Sequence, residues 1–519
     1  MSALETYGNV MTAKQPEVAR FRYGALAGFV ALTAFTVLIA TVLGSLKYGV
    51  LNWLGLIAGL IIMYLLALAL PQLKANWAYL RPRLGKWHLI WFGIYLSALV
   101  FEIRTLASYQ ESLLDGWSIL RLGPELLIGL YLLYCAGTGK VKWFSSLFRG
   151  IPGALAFYCI FCAVTTVWSV FGPWTLFKSV EYMMDVSVIA AFLCVATDAE
   201  DYKSMLDWTW TIFTVELCWC VMQLGIWPSE ALEDGRLRGV FPLVGFNAVG
   251  VYGAVIATVA LCRLLAVTPE AFERTWYTSL FLFGIVVTVT SQTRNAMAGL
   301  AAAIVVILLV SKRATGVMMI GMVVSVVLYT ALGEVLKKFI HRGQSEDAFN
   351  TMSGRLVWWH YAWVFFKDKP WSGFGAYAGG KFAVLKQIKV NPGSTHSDYI
   401  ELLVDTGIFG ITLFAIAILW TMIALFNLWR DRQLSRQERQ ISMECFCVML
   451  VLFIHSFFNV EFTWHAPMFF LVCMGWAEFM RRKKVRLKEI LIRQSLHTPL
   501  RTSQIIFGEP SGHLHKAQT

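Results

Sequence analysis

The sequence predicts an all-α fold, a polytopic transmembrane helix bundle, on three observations. Apolar runs of about 20 residues recur from Tyr23 to Met480, the length a helix needs to cross a bilayer. Hydrophobic residues make up 57% of the 519 and charged residues 15%, whereas soluble domains carry about 25% charged residues. Lys and Arg are distributed unequally over alternate connections. Mean hydropathy is +0.61. Disorder, collagen and a disulfide scaffold are excluded. So is a transmembrane β-barrel, which would show short alternating strands.

In chain order the spans are 23–44, 48–70, 88–108, 117–137, 150–171, 175–197, 206–227, 241–262, 276–291, 295–311, 315–332, 401–428, 442–460 and 466–480. That is about 14 spans, or 12 if the pairs around Ser291 and Val460 do not separate. The first run is long enough to span and has no small-residue cleavage site behind a short core, so it reads as a span and not a signal peptide. With the N-terminus inside, inner segments carry 28 Lys and Arg and the short outer loops four: Lys47, Arg236, Arg238 and Arg294. The positive-inside rule then sets both termini in the cytoplasm. The net charge of +12 is mostly topology and needs no nucleic acid.

The 68 residues 333–400 form a large outer loop with nine Lys and Arg against five Asp and Glu. Loops this long translocate largely regardless of charge and are usually functional. Leu356, Trp359, Trp363 and Phe366 recur at helical spacing and predict a short amphipathic helix along the outer interface. Gly373, Gly375, Gly379 and Gly380 predict a flexible turn region after it. The organisation is a transmembrane bundle over 1–235, a functional membrane region over 236–480 and a basic tail over 481–519. The tail reads as a topology anchor with a disordered end.

The ten cysteines lie in or beside apolar runs. Cys159/Cys162, Cys218/Cys220 and Cys445/Cys447 lack further ligands at zinc spacing, so they read as small apolar residues. Arg104, Arg121 and Lys178 lie within spans, each near a carboxylate: Glu102, Glu125, and Glu181 with Asp185. A proton or ion pathway and structural pairing weigh equally for them.

The outer face of the second half carries the chemistry. Arg236 and Arg238 precede a span, Arg294 sits between two spans, Arg355 lies in the long loop and His396 just before the next span. Singly, each Arg reads as a snorkelling interface residue. Together, on the surface where the positive-inside rule disfavours them, they read as forks for a diphosphate. His396 can be neutral and take a proton at physiological pH. Its alternative is a hydrogen-bonding role beside a helix cap at Ser397 and Asp398. The outer carboxylates show no metal-ligand spacing, so neither a metal nor another cofactor is expected.

Four segments resemble the O-antigen ligase/polymerase superfamily of bacterial membrane glycosyltransferases. They are Arg-Leu-Arg-Gly-Val-Phe-Pro-Leu-Val-Gly-Phe-Asn (236–247), Ser-Gln-Thr-Arg-Asn (291–295), Ser-Gly-Arg-Leu-Val-Trp-Trp with Lys-Pro-Trp-Ser-Gly-Phe-Gly (353–359 and 369–375), and His-Ser-Asp-Tyr-Ile-Glu-Leu-Leu-Val-Asp-Thr-Gly-Ile-Phe-Gly (396–410). The resemblance covers 236–480. One departure is that Asn247 remains where the family often has Asn-Pro-Asn, but Leu243-Val244-Gly245 precede it.

The resemblance implies a metal-independent transferase in the bacterial inner membrane, with a periplasmic active site. Its donor would be a glycan on undecaprenyl diphosphate. Arg238 and Arg294 would hold the diphosphate, with Arg236 and Asn247 as secondary candidates. Arg355 would bind phosphate or order the loop, and His396 would be the general base for the acceptor hydroxyl. A polysaccharide (O-antigen or exopolysaccharide) polymerase, adding to another lipid-linked glycan, is favoured over a ligase acting on a lipid A core. Transfer to a protein hydroxyl is a third option. Membrane lipids and a chain-length regulator are the other partners this implies. A transporter or flippase of a lipid-linked or anionic substrate is the reading of another class; it would predict polar sites near the membrane midplane and inverted repeats.

Overall fold

The computed structural model describes residues 70–99, 116–266, 271–311, 354–388, 394–463 and 467–497. The expected spans 23–44 and 315–332, nearly all of 48–70, the Glu102 and Arg104 pair and loop residues 333–353 lie outside them.

The described elements are helical but for one small hairpin. The longer helices are α1 (Leu70–Leu80), α2 (Lys86–Leu99), α3 (Gly116–Gly137), α4 (Gly150–Val164), α5 (Gly172–Val195) and α6 (Ala199–Ile226). After the hairpin strands β1 (Leu232–Glu233) and β2 (Arg236–Leu237) come α7 (Phe246–Ala266), α8 (Ala271–Thr290) and α9 (Arg294–Val310). The last are α10 (Arg355–Asp368), α11 (Asp398–Arg430), α12 (Arg436–His455) and α13 (Met468–His497). Among the described residues, five stretches are long and apolar enough to cross a membrane: Ile119–Gly137, Gly150–Val167, Ala199–Ile226, Phe246–Ala266 and Asp398–Arg430. The chain is an all-α membrane protein. The chain leaves the helix both around Ser291 and around Val460.

Local chemistry starts the helices where they start. Asp198 caps α6 by accepting from Asp201 N (2.8 Å). Ser435 and Glu438 form a reciprocal capping box on α12. Helix α7 lies along α8, and a Cβ on Gly284 would stand 2.5 Å from the Gly253 carbonyl oxygen. Small residues at that crossing let the two backbones touch, as membrane helices require for close packing. On α3, Leu126 and Leu127 are 64% and 68% exposed, which suits a face turned to lipid.

Several buried charges are paired, and Lys178 finds Glu181 and not Asp185. Arg121 meets Glu181 across helices and Glu125 on its own helix (3.8 Å), while Lys178 meets Glu181. Ser97 donates to Glu125 (3.1 Å). Arg263 binds Glu444 through two nitrogens (2.8 Å each) and Asp207 (2.7 Å), joining α6, α7 and α12. Structural pairing therefore accounts for Arg121 and Lys178.

Helix α11 is broken. Gly407 has φ 63° and ψ −166°, a conformation essentially confined to glycine. The break frees backbone groups on both sides, and the loop after α10 takes them up. Phe374 N donates to Val404 O and Gly375 N to Asp405 O (2.9 Å each), while Ile408 N donates to Pro370 O (2.8 Å). The Asp405 carboxylate then accepts from Gly380 N (2.7 Å). Gly373, Gly375, Gly379 and Gly380 thus form a clamped crossing and not a flexible turn, because the Asp405 carbonyl and carboxylate hold the Gly375 and Gly380 amides, and the Lys369 and Gly375 carbonyls hold those of Gly373 and Gly379. Helix α10 is present as expected, and Trp359 and Phe366 turn inward with Ala362 and Phe365. Leu356 and Trp363 are 42% and 48% exposed, so the helix is apolar on two faces.

Gly407→Ala should destabilise the fold. The added Cβ would lie 2.5 Å from the Trp371 backbone, and the backbone strain alone is about 1–3 kcal/mol. Thermal unfolding in detergent should show a lowered midpoint, against an unchanged midpoint for Gly137→Ala, whose Cβ meets nothing within 4 Å. Equal midpoints would mean the break does not depend on glycine.

Candidate functional site

The site begins at the segment that enters α11. Thr395 is held from both sides: its N–H donates to Glu401 Oε1 (2.6 Å) and its carbonyl accepts from Trp359 Nε1 (3.0 Å). His396 follows with φ 56°, a left-handed conformation that His tolerates better than most residues. Ser397 caps α11 through Ile400 N (3.5 Å), close to the expected start. Asp398 does more than cap. Its N–H donates to the Ser456 and Asn459 carbonyls (3.1 Å each). Its carboxylate accepts from Glu461 N (2.8 Å), Phe462 N (2.9 Å), Thr463 N (3.1 Å) and the Thr463 hydroxyl (2.6 Å). The entry to α11 and the turn after α12 are therefore one hydrogen-bonded unit.

The arginines before α7 sit on the hairpin. Asp234 and Gly235 both have positive φ, 51° and 73°, as a two-residue hairpin turn needs. Gln292 Nε2 donates to Gly235 O (3.1 Å) and Arg236 Nε to Ser291 O (3.1 Å). The Arg236 guanidinium also covers the Phe246 ring at 3.2 Å. Thr293 donates to Phe246 O (3.0 Å), at the start of α7 beside Asn247. The hairpin, the first turn of α7 and the turn that carries Arg294 thus meet. Arg238 is held differently, by the Glu230 carbonyl (2.9 Å) and the Glu233 carboxylate. Buried Gln223 anchors the next loop through Val240 N and Phe241.

Arg294, Arg355 and His396 come together. Burial, and then the like charge of Arg294, push the Arg355 guanidinium below its ordinary value. Burial alone acts in that direction on Arg294. His396 stacks on Trp358 with ring centroids 5.6 Å apart. Burial, then the Arg355 charge, lower its pKa from 6.5 to about 4, and a hydrogen bond to Asn459 opposes them. The ring is neutral at pH 7. His360, by contrast, lies on the exposed side of α10.

Sequence reasoning missed Asn459, Glu461 and His455. Asn459 Nδ2 donates to Glu461 Oε1 (2.9 Å), and His455 Nδ1 stands 3.0 Å from the same oxygen. His455 is fully buried, and its carbonyl accepts from Asn295 Nδ2 (3.1 Å). The available signal was His-Ser-Phe-Phe-Asn-Val-Glu, four polar side chains at the end of an apolar run. Among the described residues, no group of three or more His, Cys, Asp and Glu could hold a metal ion.

Helices fit to cross a membrane, with clustered arginines and a neutral histidine where helix ends meet, define an integral membrane protein with a polar, cationic site. Residues 279–415 match the family model described as O-Antigen ligase, so this segment is similar to that family. The match spans α8, α9, α10 and the first half of α11. No curated protein matches the chain.

Arg355→Gln should raise the His396 pKa above about 4, because a like charge leaves. Histidine NMR titration would read the midpoint; an unchanged midpoint would remove the coupling. For stability the sign is fixed. The folded ring binds fewer protons than an unfolded one between about 4 and 6.5. Its contribution is therefore complete above 6.5 and declines as pH falls towards 4.

Proposed function

We propose that this chain transfers a glycan from undecaprenyl diphosphate to a sugar hydroxyl at the periplasmic face of the inner membrane, as a polysaccharide polymerase. The carrying observation is the cluster of Arg294, Arg355 and His396, joined by charge in one partly buried place. A family match to O-antigen ligase supports the reaction class. The acceptor hydroxyl oxygen bonds to the anomeric carbon. The bond from that carbon to the phosphate oxygen breaks, undecaprenyl diphosphate leaves with the electron pair, and His396 takes the hydroxyl proton. The diphosphate is a good leaving group, so the protein's work is to stabilise its growing charge and to position the acceptor.

Arg294 and Arg355 are the forks for the diphosphate. An anion between them relieves their mutual repulsion and, by screening Arg355, raises the basicity of His396 once donor is bound. Arg238 reaches phosphate by exchanging Glu233 for it. Arg236 and Asn247 shape the wall where the hairpin meets the Arg294 turn. The chemistry uses no metal. Ligation to a lipid A core uses the same donor chemistry with another acceptor. Transport is the weaker reading, because Arg121 and Lys178 are paired with carboxylates inside the bundle.

The test uses purified protein in nanodiscs with lipid-linked oligosaccharide, EDTA and no nucleotide sugar. A ladder of longer lipid-linked glycans is expected; a single shift onto added lipid A core would make it a ligase, and no product with either acceptor would reject the transferase. Arg294→Ala should lower transfer by about a hundredfold or more. Arg294→Lys should fail nearly as badly, since a point charge does not replace the fork. His396→Ala should lose transfer and keep donor binding.

A second measurement concerns Arg238. Glu233→Gln frees its guanidinium and should tighten donor binding, whereas Arg238→Ala should weaken it. Unchanged affinity in both would remove Arg238 from the diphosphate site.

A further inference from the structure

Helix α10 buries only one of its two apolar faces. The inner face reaches the segment before α11: Trp358 stacks on His396 with ring centroids 5.6 Å apart, and Trp359 Nε1 donates to Thr395 O (3.0 Å). On the other side, Leu356, Val357, Tyr361, Trp363 and Val364 are each 40% exposed or more. Among the exposed residues between Leu356 and Val364, only His360 and the Tyr361 hydroxyl are polar. A helix face turned to water carries charged and polar residues, so this one is made for other surroundings. The 14 residues of α10 are too few to cross a hydrocarbon layer about 30 Å thick.

The neighbouring surface says what covers it. Helix α11 is long and apolar enough to cross a membrane, and Phe409, Ile416, Leu419 and Ile423 along it are 48–58% exposed. Their helical spacing makes one lipid-facing stripe. That stripe begins at the Gly407 break, where the chain leaving α10 is fastened. Ile408 N donates to Pro370 O (2.8 Å) and Phe409 N to Trp371 O (3.4 Å). Trp371 is 59% exposed and lies against Phe409, with ring centroids 5.6 Å apart. An exposed aromatic pair thus joins the end of α10 to the lipid-facing stripe of α11. The exposed polar residues fit the same surroundings. Lys367 and Lys369 stand at the C-terminal end of α10, where they suit anionic headgroups. Trp, Tyr and His are at home at headgroup depth.

We propose that α10 is an interfacial helix whose outer face lies in the phospholipid leaflet, and that this contact holds its inner face against the His396 segment. Lipid supplies the burial that the protein leaves undone on α10. The two faces belong to one rigid helix, so the membrane contact reaches Trp358 and Trp359 and, through them, the site. Its effect on transfer rests on the transferase reading; the lipid contact itself does not.

The experiment has two arms, both in nanodiscs of phosphatidylethanolamine and phosphatidylglycerol. The first reads depth with nitroxide labels, after Cys194→Ser and Cys218→Ser remove the two cysteines that are not buried. Labels at Val357→Cys and Val364→Cys should collide more with oxygen than with a water-soluble nickel chelate, as a label at Ile416→Cys on α11 does. A label at Gln437→Cys, exposed in the first turn of α12, gives the opposite order. That opposite order at 357 and 364 would overturn the proposal. The second arm measures transfer from lipid-linked oligosaccharide. Val364→Asp should lower kcat about tenfold or more, the effect of taking one valine out of apolar surroundings, while Val364→Leu keeps the wild-type rate. Should Val364→Asp fail to fold, Val364→Thr decides, since its volume is nearly unchanged: its hydroxyl should cost about threefold. Wild-type kcat in the polar variants would make α10 an anchor that does not set the site, and overturns the coupling. An equal loss in Val364→Leu would mean tight packing on protein, and overturns it too. If the wild type itself transfers nothing, the transferase reading falls, and the labels alone decide the lipid contact.

Discussion

A membrane helix that stops its own hydrogen-bond ladder must hand the freed groups to something else, because lipid offers none. Helix α11 stops at Gly407, and residues 370–375 supply the partners on both sides of the break. Much of the site depends on this exchange. It sets the return path of the loop after α10, and the Asp405 carboxylate fixes the loop further at Gly380. Helix α10 then packs over the start of α11, and Trp358 and Trp359 reach the segment around His396. The segments Trp-Ser-Gly-Phe-Gly and Val-Asp-Thr-Gly-Ile-Phe-Gly are the two halves of one backbone junction. Their glycines serve geometry: a Cβ on Gly373 would stand 2.4 Å from the Asp405 backbone.

Charge is treated in two ways in the same bundle. Arg263 is surrounded by Asp207 and Glu444, and Arg121 and Lys178 share Glu181. Those cations are neutralised within the protein, as buried charges must be. Arg355 lies in the field of another cation: burial first, and then the Arg294 charge, disfavour its own. The neutral state of His396 follows first from burial and then from the Arg355 charge.

Much of the class was legible in the sequence because bilayer length and charge asymmetry act on composition directly. The apolar runs, the helix at 355–368 and the start of α11 were readable from spacing and from Ser397-Asp398. The convergence of Arg294, Arg355 and His396 was readable only as membership of one surface. What could not be read was contact. Nothing local distinguishes Arg236, tied to Ser291 and Phe246, from Arg238, tied to Glu233. The glycines near 375 look flexible in sequence because their constraint comes from α11. The hairpin had a signal, Asp234-Gly235, but strands of two residues have no periodicity to detect.

The family match ends at residue 415, within α11. The groups that hold His396 in place lie on both sides of that limit. Trp358, Glu401 and Asp398 fall inside it, while Asn459 and Glu461 come from the turn after α12. Asp398 is the residue that joins the two sets, since its amide and carboxylate both bind the distant turn. A carboxylate with four donors, buried at a helix start, leaves the turn little freedom to shift relative to His396. The precision of the histidine is therefore a long-range property. It is set by residues some sixty positions apart in sequence, through one aspartate that the sequence presents as an ordinary helix cap.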